Sequence, residues 1–120
     1  MEKLDERTYK FGLRIIKLVT SLPDTSIAEV LGRQVLRLGT SVGANVEEAL
    51  GAISKREFIQ KMGIAAKEAR ETHYWLRMIR DTGLISSVRI EPLIQESLEI
   101  KMILSKTVKT SRERYGKISN

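Results

Sequence analysis

The sequence has no cysteine, two prolines, one histidine and 5% aromatic residues. Without cysteine there are no disulfides and no thiolate metal sites. The one histidine, His73, follows Glu71 by two residues. Not even one of the two Glu-x-x-His motifs of a bundle di-iron centre is therefore present. No glycine is followed by Lys-Ser or Lys-Thr, and no dinucleotide fingerprint occurs. No Gly-x-Ser-x-Gly elbow accompanies His73, which reads as a structural or exposed residue. Glu47, Glu48, Glu68 and Glu71 offer carboxylates for a divalent ion, but carboxylates on facing helices pair more often with Lys and Arg. The expectation is no catalytic residue, no metal, no cofactor and no enzyme activity. No apolar stretch approaches the roughly 20 residues of a membrane span. The charged start MEKLDERTYK is unlike a secretory leader, so the cytoplasm is the expected location.

What is present suits one globular domain spanning 1–120. The chain has 42% hydrophobic and 30% charged residues, a globular rather than a disordered composition. The net charge is +6, and its placement is uneven. Residues 1–20 and 101–120 carry 11 Lys/Arg against 4 Asp/Glu, a net of +7, while residues 21–100 carry a net of −1. Terminal positive charge of this kind points to an anionic partner, with plain solubility as the alternative.

Helical periodicity divides the chain into four segments. The first covers about 6–21, with Phe11, Ile15, Leu18 and Leu22 inward and Ile16 and Val19 widening the stripe. Pro23 ends it. The second covers 26–50, opened by a Ser26/Glu29 capping box and closed at Gly51. Val30, Leu31, Val35, Leu38, Val42, Val46 and Leu50 give its apolar side. The third covers 54–81, with a Ser54/Glu57 box, a stripe through Phe58, Met62, Ala65, Ala69, Leu76 and Ile79, and Gly83 as a left-handed cap. The fourth covers about 89–114, because Pro92 is tolerated only in the first turn, and GKISN is expected to be a loose end. Leu93, Ile100, Leu104 and Val108 mark its stripe. Short connections imply antiparallel neighbours, hence an all-α, up-down-up-down four-helix bundle. The first helix then lies beside the last. Arg7, Lys10, Arg14 and Lys17 would join Lys101, Lys106, Lys109, Arg112, Arg114 and Lys117 in one basic patch.

Some polar residues sit where a helix gains little from them. Arg37, Ser41, Asn45 and Glu48 share one face of the second helix, and Glu57, Lys61, Glu68, Glu71 and Trp75 one face of the third. Ser41 and Asn45 are poor choices for a solvated helix surface. A polar network between the two helices, or across an assembly interface, is the expected explanation. Tyr74 and Trp75 are adjacent and so point differently, and Trp75 is the candidate subunit contact. Gly32, Gly39 and Gly43 each weaken a helix by about 1 kcal/mol relative to alanine. Close approach of another backbone, or a kink near Gly43, would account for them.

The pattern Arg37-x-x-x-Ser41-Val42-x-x-Asn45-Val46-x-Glu48, followed by Ser54-x-x-Glu57-Phe58, Lys61-x-x-x-Ala65 and Glu68-x-x-Glu71-x-x-Tyr74-Trp75-Leu76, resembles a four-helix-bundle family. That family includes proteins encoded by intervening sequences in bacterial large-subunit ribosomal RNA genes. The resemblance implies a small bacterial bundle assembled as a homopentamer and brings no catalytic residues with it. The common family form has proline where this chain has Gly43. A related branch resembles the accessory proteins of diversity-generating retroelements, basic pentamers that engage a reverse transcriptase and nucleic acid. This chain is more similar to the intervening-sequence branch.

The leading functional expectation is a non-enzymatic, oligomeric RNA-binding module. Arg7, Lys10, Arg14, Lys17, Lys106, Lys109, Arg112 and Arg114 would contact phosphates, giving salt-sensitive binding with little sequence reading. Arg37, Ser41, Asn45, Glu48, Lys61, Glu68, Glu71 and Trp75 would serve assembly and the polar network. The alternative is a structural or protein-interaction scaffold that binds no nucleic acid.

Overall fold

Four capped amphipathic segments become four helices, α1 (Leu4–Thr20), α2 (Ser26–Leu50), α3 (Lys55–Asp81) and α4 (Ser87–Ser119). The computed structural model describes residues 2–119, with the side chains of 2–116. Among these residues there is no strand. The 33 residues of α4 set the long dimension of the molecule. At 1.5 Å per residue they span about 50 Å, against an overall length of 53 Å. The 17-residue α1 reaches only part of that length.

The helix ends follow local chemistry, with several changes from the sequence reading. The Thr25 hydroxyl, not Ser26, accepts the Ala28 N–H and starts α2. Either residue can cap, and Thr25 takes the extended conformation that an N-cap requires. At α3 the Ser54 hydroxyl accepts the Glu57 N–H, while the Glu57 carboxylate accepts from Ile53 rather than from Ser54. Gly51 has φ −91°, so α2 ends without a left-handed residue. Gly83, at φ 75°, does adopt one, and the Leu84 N–H turns back to the Ile79 carbonyl. At this site a side chain would be strained. The last helix also exceeds its expected bounds. It begins at Ser87, which places Pro92 in the second turn, where the missing N–H would have reached the carbonyl of the exposed Val88. It continues past Arg114 to Ser119, its last turns lying beside Lys55, Phe58 and Ile59 of α3.

The core runs through all four helices. Phe11 and Ile15 of α1, Val35, Val42 and Val46 of α2, Met62, Leu76 and Ile79 of α3, and Ile90, Ile100 and Leu104 of α4 are fully buried. The stripes are narrower than expected on two helices: Ile16, Val30 and Leu50 are exposed. Helix α1 packs chiefly on α2 and only lightly on α4, so nothing covers its outer flank. The buried hydroxyls of Thr8, Thr72 and Ser97 donate to carbonyls of their own helices, at Leu4, Glu68 and Ile94. Among the described residues no buried side-chain polar atom lacks a partner.

The α2 glycines mark a close approach of α2 to α1. A Cβ at Gly39 would stand 2.8 Å from Ile15 Cγ1, and one at Gly43 would stand 3.1 Å from the Thr8 carbonyl oxygen. As α1 ascends through Thr8, Ile15 and Leu22, its partners on α2 descend through Gly43, Gly39 and Gly32. Of the two expected uses of these glycines, close approach is the one the contacts support. The backbones of α1 and α3, like those of α2 and α4, do not come close among the described residues, so the α1–α2 pair lies across the core from the α3–α4 pair.

Candidate nucleic-acid interface

The basic residues expected to form one patch are distributed over separate surfaces. Arg7 is half-buried and donates from Nε to Glu96 at 2.9 Å and from Nη2 to Glu96 at 2.7 Å and Glu99 at 3.0 Å. The paired hydrogen bond raises the Arg7 pKa above its ordinary value, and the same bond holds the Glu96 carboxyl below the usual carboxylate range. Arg7 is thus a structural clamp between α1 and α4. Lys10 pairs with Glu2 on the surface. Arg14 and Lys17 rim a shallow hollow with Arg89 at the other end of α1.

The expected merger of α1 and α4 charge fails for a geometric reason. Arg7 lies level with Glu96 and Glu99, and the rest of α1 runs towards Arg89. Lys106 to Arg114 lie 7 to 15 residues beyond Glu99, which is about 10–22 Å further along α4. Their neighbours belong to α3 instead. Arg112 joins Lys67 and Arg70 around a groove of about 380 Å³, floored by Gly63, Ala66 and Val108 with Ser105 on the α4 wall. Arg114 stands beside Lys55, Phe58 and Tyr115 near the start of α3. Lys106 and Lys109 are exposed. Lys117 falls among the residues whose side chains are not described.

Among the described residues, no carboxylate is within ion-pair distance of Lys67, Arg70, Arg77, Lys101, Lys106, Lys109, Arg112 or Arg114. His73, half-buried between α3 and α4, has its pKa lowered by burial and then by Arg77, Lys101 and Arg80. Arg80 itself is held by Asp81 and Glu91. The potential along the α3–α4 side is therefore positive. Lys67, Arg70 and Arg77 carry no motif, and only the fold gives them a partner helix. Their spacing of i, i+3 and i+10 on one α3 face was the available signal.

The α2–α3 polar face is partly intramolecular. Asn45 Nδ2 donates to Glu68 Oε1 at 2.6 Å, and Lys61 Nζ pairs with Glu48 at 2.8 Å. Burial raises the Glu68 pKa, Asn45 opposes that shift, and the nearby Glu71 charge adds to it. Arg37 and Ser41 do not bond across to α3. Arg37 donates to Gln34, and the Ser41 hydroxyl donates to the Arg37 carbonyl. Trp75 packs half-buried against the core, edge-on to the exposed Tyr74 with ring centroids 5.1 Å apart.

An apolar face was missed. Tyr9, Leu13 and Ile16 line a groove of about 380 Å³ between α1 and α2 with Thr40 and Ala44, over the floor formed by Gly12 and Gly43. Leu13 is 51% exposed and Tyr9 64%. Among the described residues no group of three or more His, Asp or Glu is placed to hold a metal ion, and no helix is long and apolar enough to cross a membrane.

Comparison with known proteins adds a lineage. The family model described as 23S rRNA-intervening sequence protein matches residues 3–106. A crystal structure of a protein of unknown function from the S23 ribosomal protein family of Bacteroides thetaiotaomicron VPI-5482 is 37% identical to the chain. It superposes with a TM-score of 0.83, covering 89% of this chain and 99% of that one. Among curated protein sequences, none matches the chain.

Proposed function

The chain belongs to the 23S rRNA-intervening sequence protein family, and on that footing we propose that it is a cytoplasmic, non-enzymatic RNA-binding protein that self-associates. The observation that carries the binding is the set of cations on α3 and the second half of α4 that have no carboxylate partner among the described residues. Arg7 and Lys10, spent on carboxylates, leave the binding set. Crowded like charges cost a lone domain stability, and a polyanion relieves that cost by pairing with them while small counterions are released. Binding of this kind is dominated by phosphate contacts and falls steeply with salt. A titration with a structured RNA at low and moderate salt tests it. Salt-weakened binding supports the reading, and no binding at low salt overturns it.

Self-association uses the apolar α1–α2 face in this reading. Tyr9, Leu13 and Ile16 are the kind of exposed apolar cluster that marks an interface. An up-down-up-down bundle assembled as a homopentamer is the proposed form, and light scattering of the purified protein tests it. A monomer at all concentrations would remove the assembly half of the proposal. The same face would also suit a protein scaffold without nucleic acid. Co-purification of a defined protein with no RNA favours that second reading.

A further inference from the structure

The α3–α4 groove has a specific shape and chemistry. One wall presents Lys67 and Arg70 from α3, and the other presents Arg112 and Ser105 from α4. The floor is small and apolar, and at Gly63 a Cβ would meet no heavy atom within 4 Å, so the groove is open above that residue. Along α3 the cationic line continues through Arg77, whose guanidinium lies 5.9 Å from the Tyr74 ring centroid. Lys67, Arg70, Tyr74 and Arg77 recur at i, i+3, i+7 and i+10 and so share one helix face. From Lys67 to Arg77 that face extends about 15 Å. Of the acidic residues near the line, Glu68 turns to Asn45 on the α2 side, Glu91 and Asp81 are taken by Arg80, and Glu71, four residues on from Lys67, borders the line towards Glu68. Glu113, beside Arg112, is exposed to solvent.

Two features of this surface point to the same ligand class. A groove lined by unpaired cations follows a phosphodiester backbone. An exposed aromatic ring on the same line supplies a stacking platform for a base, which a duplex keeps hidden in its own stack. Trp75 meets the Tyr74 ring edge-on and braces it. Arg77 lies over one face of the ring as a second planar group. The same cations, Arg77 and Lys101 with Arg80, lower the His73 pKa after the larger effect of its burial.

We propose that the α3–α4 groove binds single-stranded RNA, with successive phosphates on Arg112, Lys67 and Arg70 and a base stacked on Tyr74. The proposal rests on the RNA-binding reading above and places it on one surface. The test is fluorescence anisotropy with a labelled mixed-sequence oligoribonucleotide, single-stranded and as a duplex, over a range of salt. Each lost phosphate contact lowers the single-strand salt slope by about 0.7, so K67Q/R70Q/R112Q should lower it by about 2. Referred to 1 M salt, that slope change corresponds to a loss of affinity of roughly several hundredfold at about 50 mM salt. Tyr74→Leu should weaken single-strand binding on the order of tenfold without changing the slope. The substituted side chains are exposed cations, so the triple variant should melt no lower than the wild type, and circular dichroism verifies that it is folded. R14Q/K17Q/R89Q, in the separate hollow, should lose less. If the wild type binds no RNA, this proposal and the RNA-binding reading both fall. If the wild type binds and the α1–α4 triple loses as much as the groove triple, the groove is refuted while the reading stands. Duplex bound as tightly as single strand, or an unaffected Tyr74→Leu, refutes the single-strand assignment.

Discussion

Glycine-to-alanine exchanges at two helical positions should move stability in opposite directions. At Gly39 the new methyl would stand 2.8 Å from Ile15 Cγ1, 3.0 Å from Cγ2 and 3.2 Å from Cδ1. Two of these atoms are attached directly to the β-carbon, in a side chain whose χ1 is nearly fixed within a helix. Ile15 is fully buried, so it has no space to rotate into. Overpacking of this kind costs about 1–3 kcal/mol. The gain in helix propensity returns about 1 kcal/mol. The net for Gly39→Ala is a loss of about 1 kcal/mol. At Gly63 nothing lies within 4 Å of the added atom, so Gly63→Ala keeps the propensity gain of about 1 kcal/mol. The two variants should therefore differ by about 2 kcal/mol, or roughly 6–12 °C in Tm for a domain of this size. Urea unfolding at one protein concentration measures it, because self-association would couple stability to concentration. The midpoint should shift with the slope unchanged. A Gly39→Ala protein as stable as the wild type would refute the close-approach account of the α2 glycines.

Other expectations test the polar contacts and the exposed apolar face. Arg7→Gln removes the clamp on Glu96 and Glu99 and should destabilise the protein by about 1–2 kcal/mol at neutral pH, given charge-assisted hydrogen bonds that are only half-buried. Because Arg7 depresses the Glu96 pKa, that stability is present above the ordinary carboxylate pKa and is lost as the pH falls through the depressed value. The gap between variant and wild type in melting temperature should accordingly close in acid, and a constant gap from neutral pH into acid would contradict the assignment. Glu68→Gln works the other way. The raised Glu68 pKa means the wild type is relatively more stable when this group is protonated. The variant should therefore melt higher near pH 7, with its advantage shrinking as the pH falls towards the raised pKa, and a difference independent of pH would count against it. Leu13→Asp should lower the mass measured by light scattering without unfolding the chain, since Leu13 is 51% exposed. An unchanged mass above that of the monomer would place the interface elsewhere.

The legible part of this chain was the part governed by local rules. Periods near 3.6, the Ser54 cap and the Gly83 stop marked helices because each depends on residues within a few positions. Asn45 and Glu48 stood out because a solvated helix has little use for them, and their partners Glu68 and Lys61 lay on the matching stripe of α3. The charge map was not legible for a reason of length and register. Nothing local shows that α1 begins level with the middle of α4, nor that Glu96 and Glu99 face Arg7. A cation on a helix looks the same in sequence whether it meets a carboxylate or water. Leu13 and Ile16 posed the converse problem: an apolar residue at helical spacing reads as core until the neighbouring helix is found to leave it uncovered.

The separation of the two remaining surfaces constrains how they can work together. The apolar groove lies between α1 and α2, the cationic groove between α3 and α4, and the two pairs face each other across the core. Copies joined through the apolar face would leave every cationic groove open. A single groove with three phosphate contacts binds weakly and loses much of its affinity at moderate salt. Several grooves in one assembly convert later contacts on the same strand into intramolecular ones, which raises overall affinity without any new contact. Assembly and binding are then linked, and Leu13→Asp should weaken RNA binding although Leu13 lies outside the cationic groove. Anisotropy with a short oligonucleotide, which fills one groove, and with a long one, which spans several, separates the effects. The substitution should spare the short ligand and weaken the long one. Equal weakening of both would show that Leu13 acts through the fold of the groove and not through assembly.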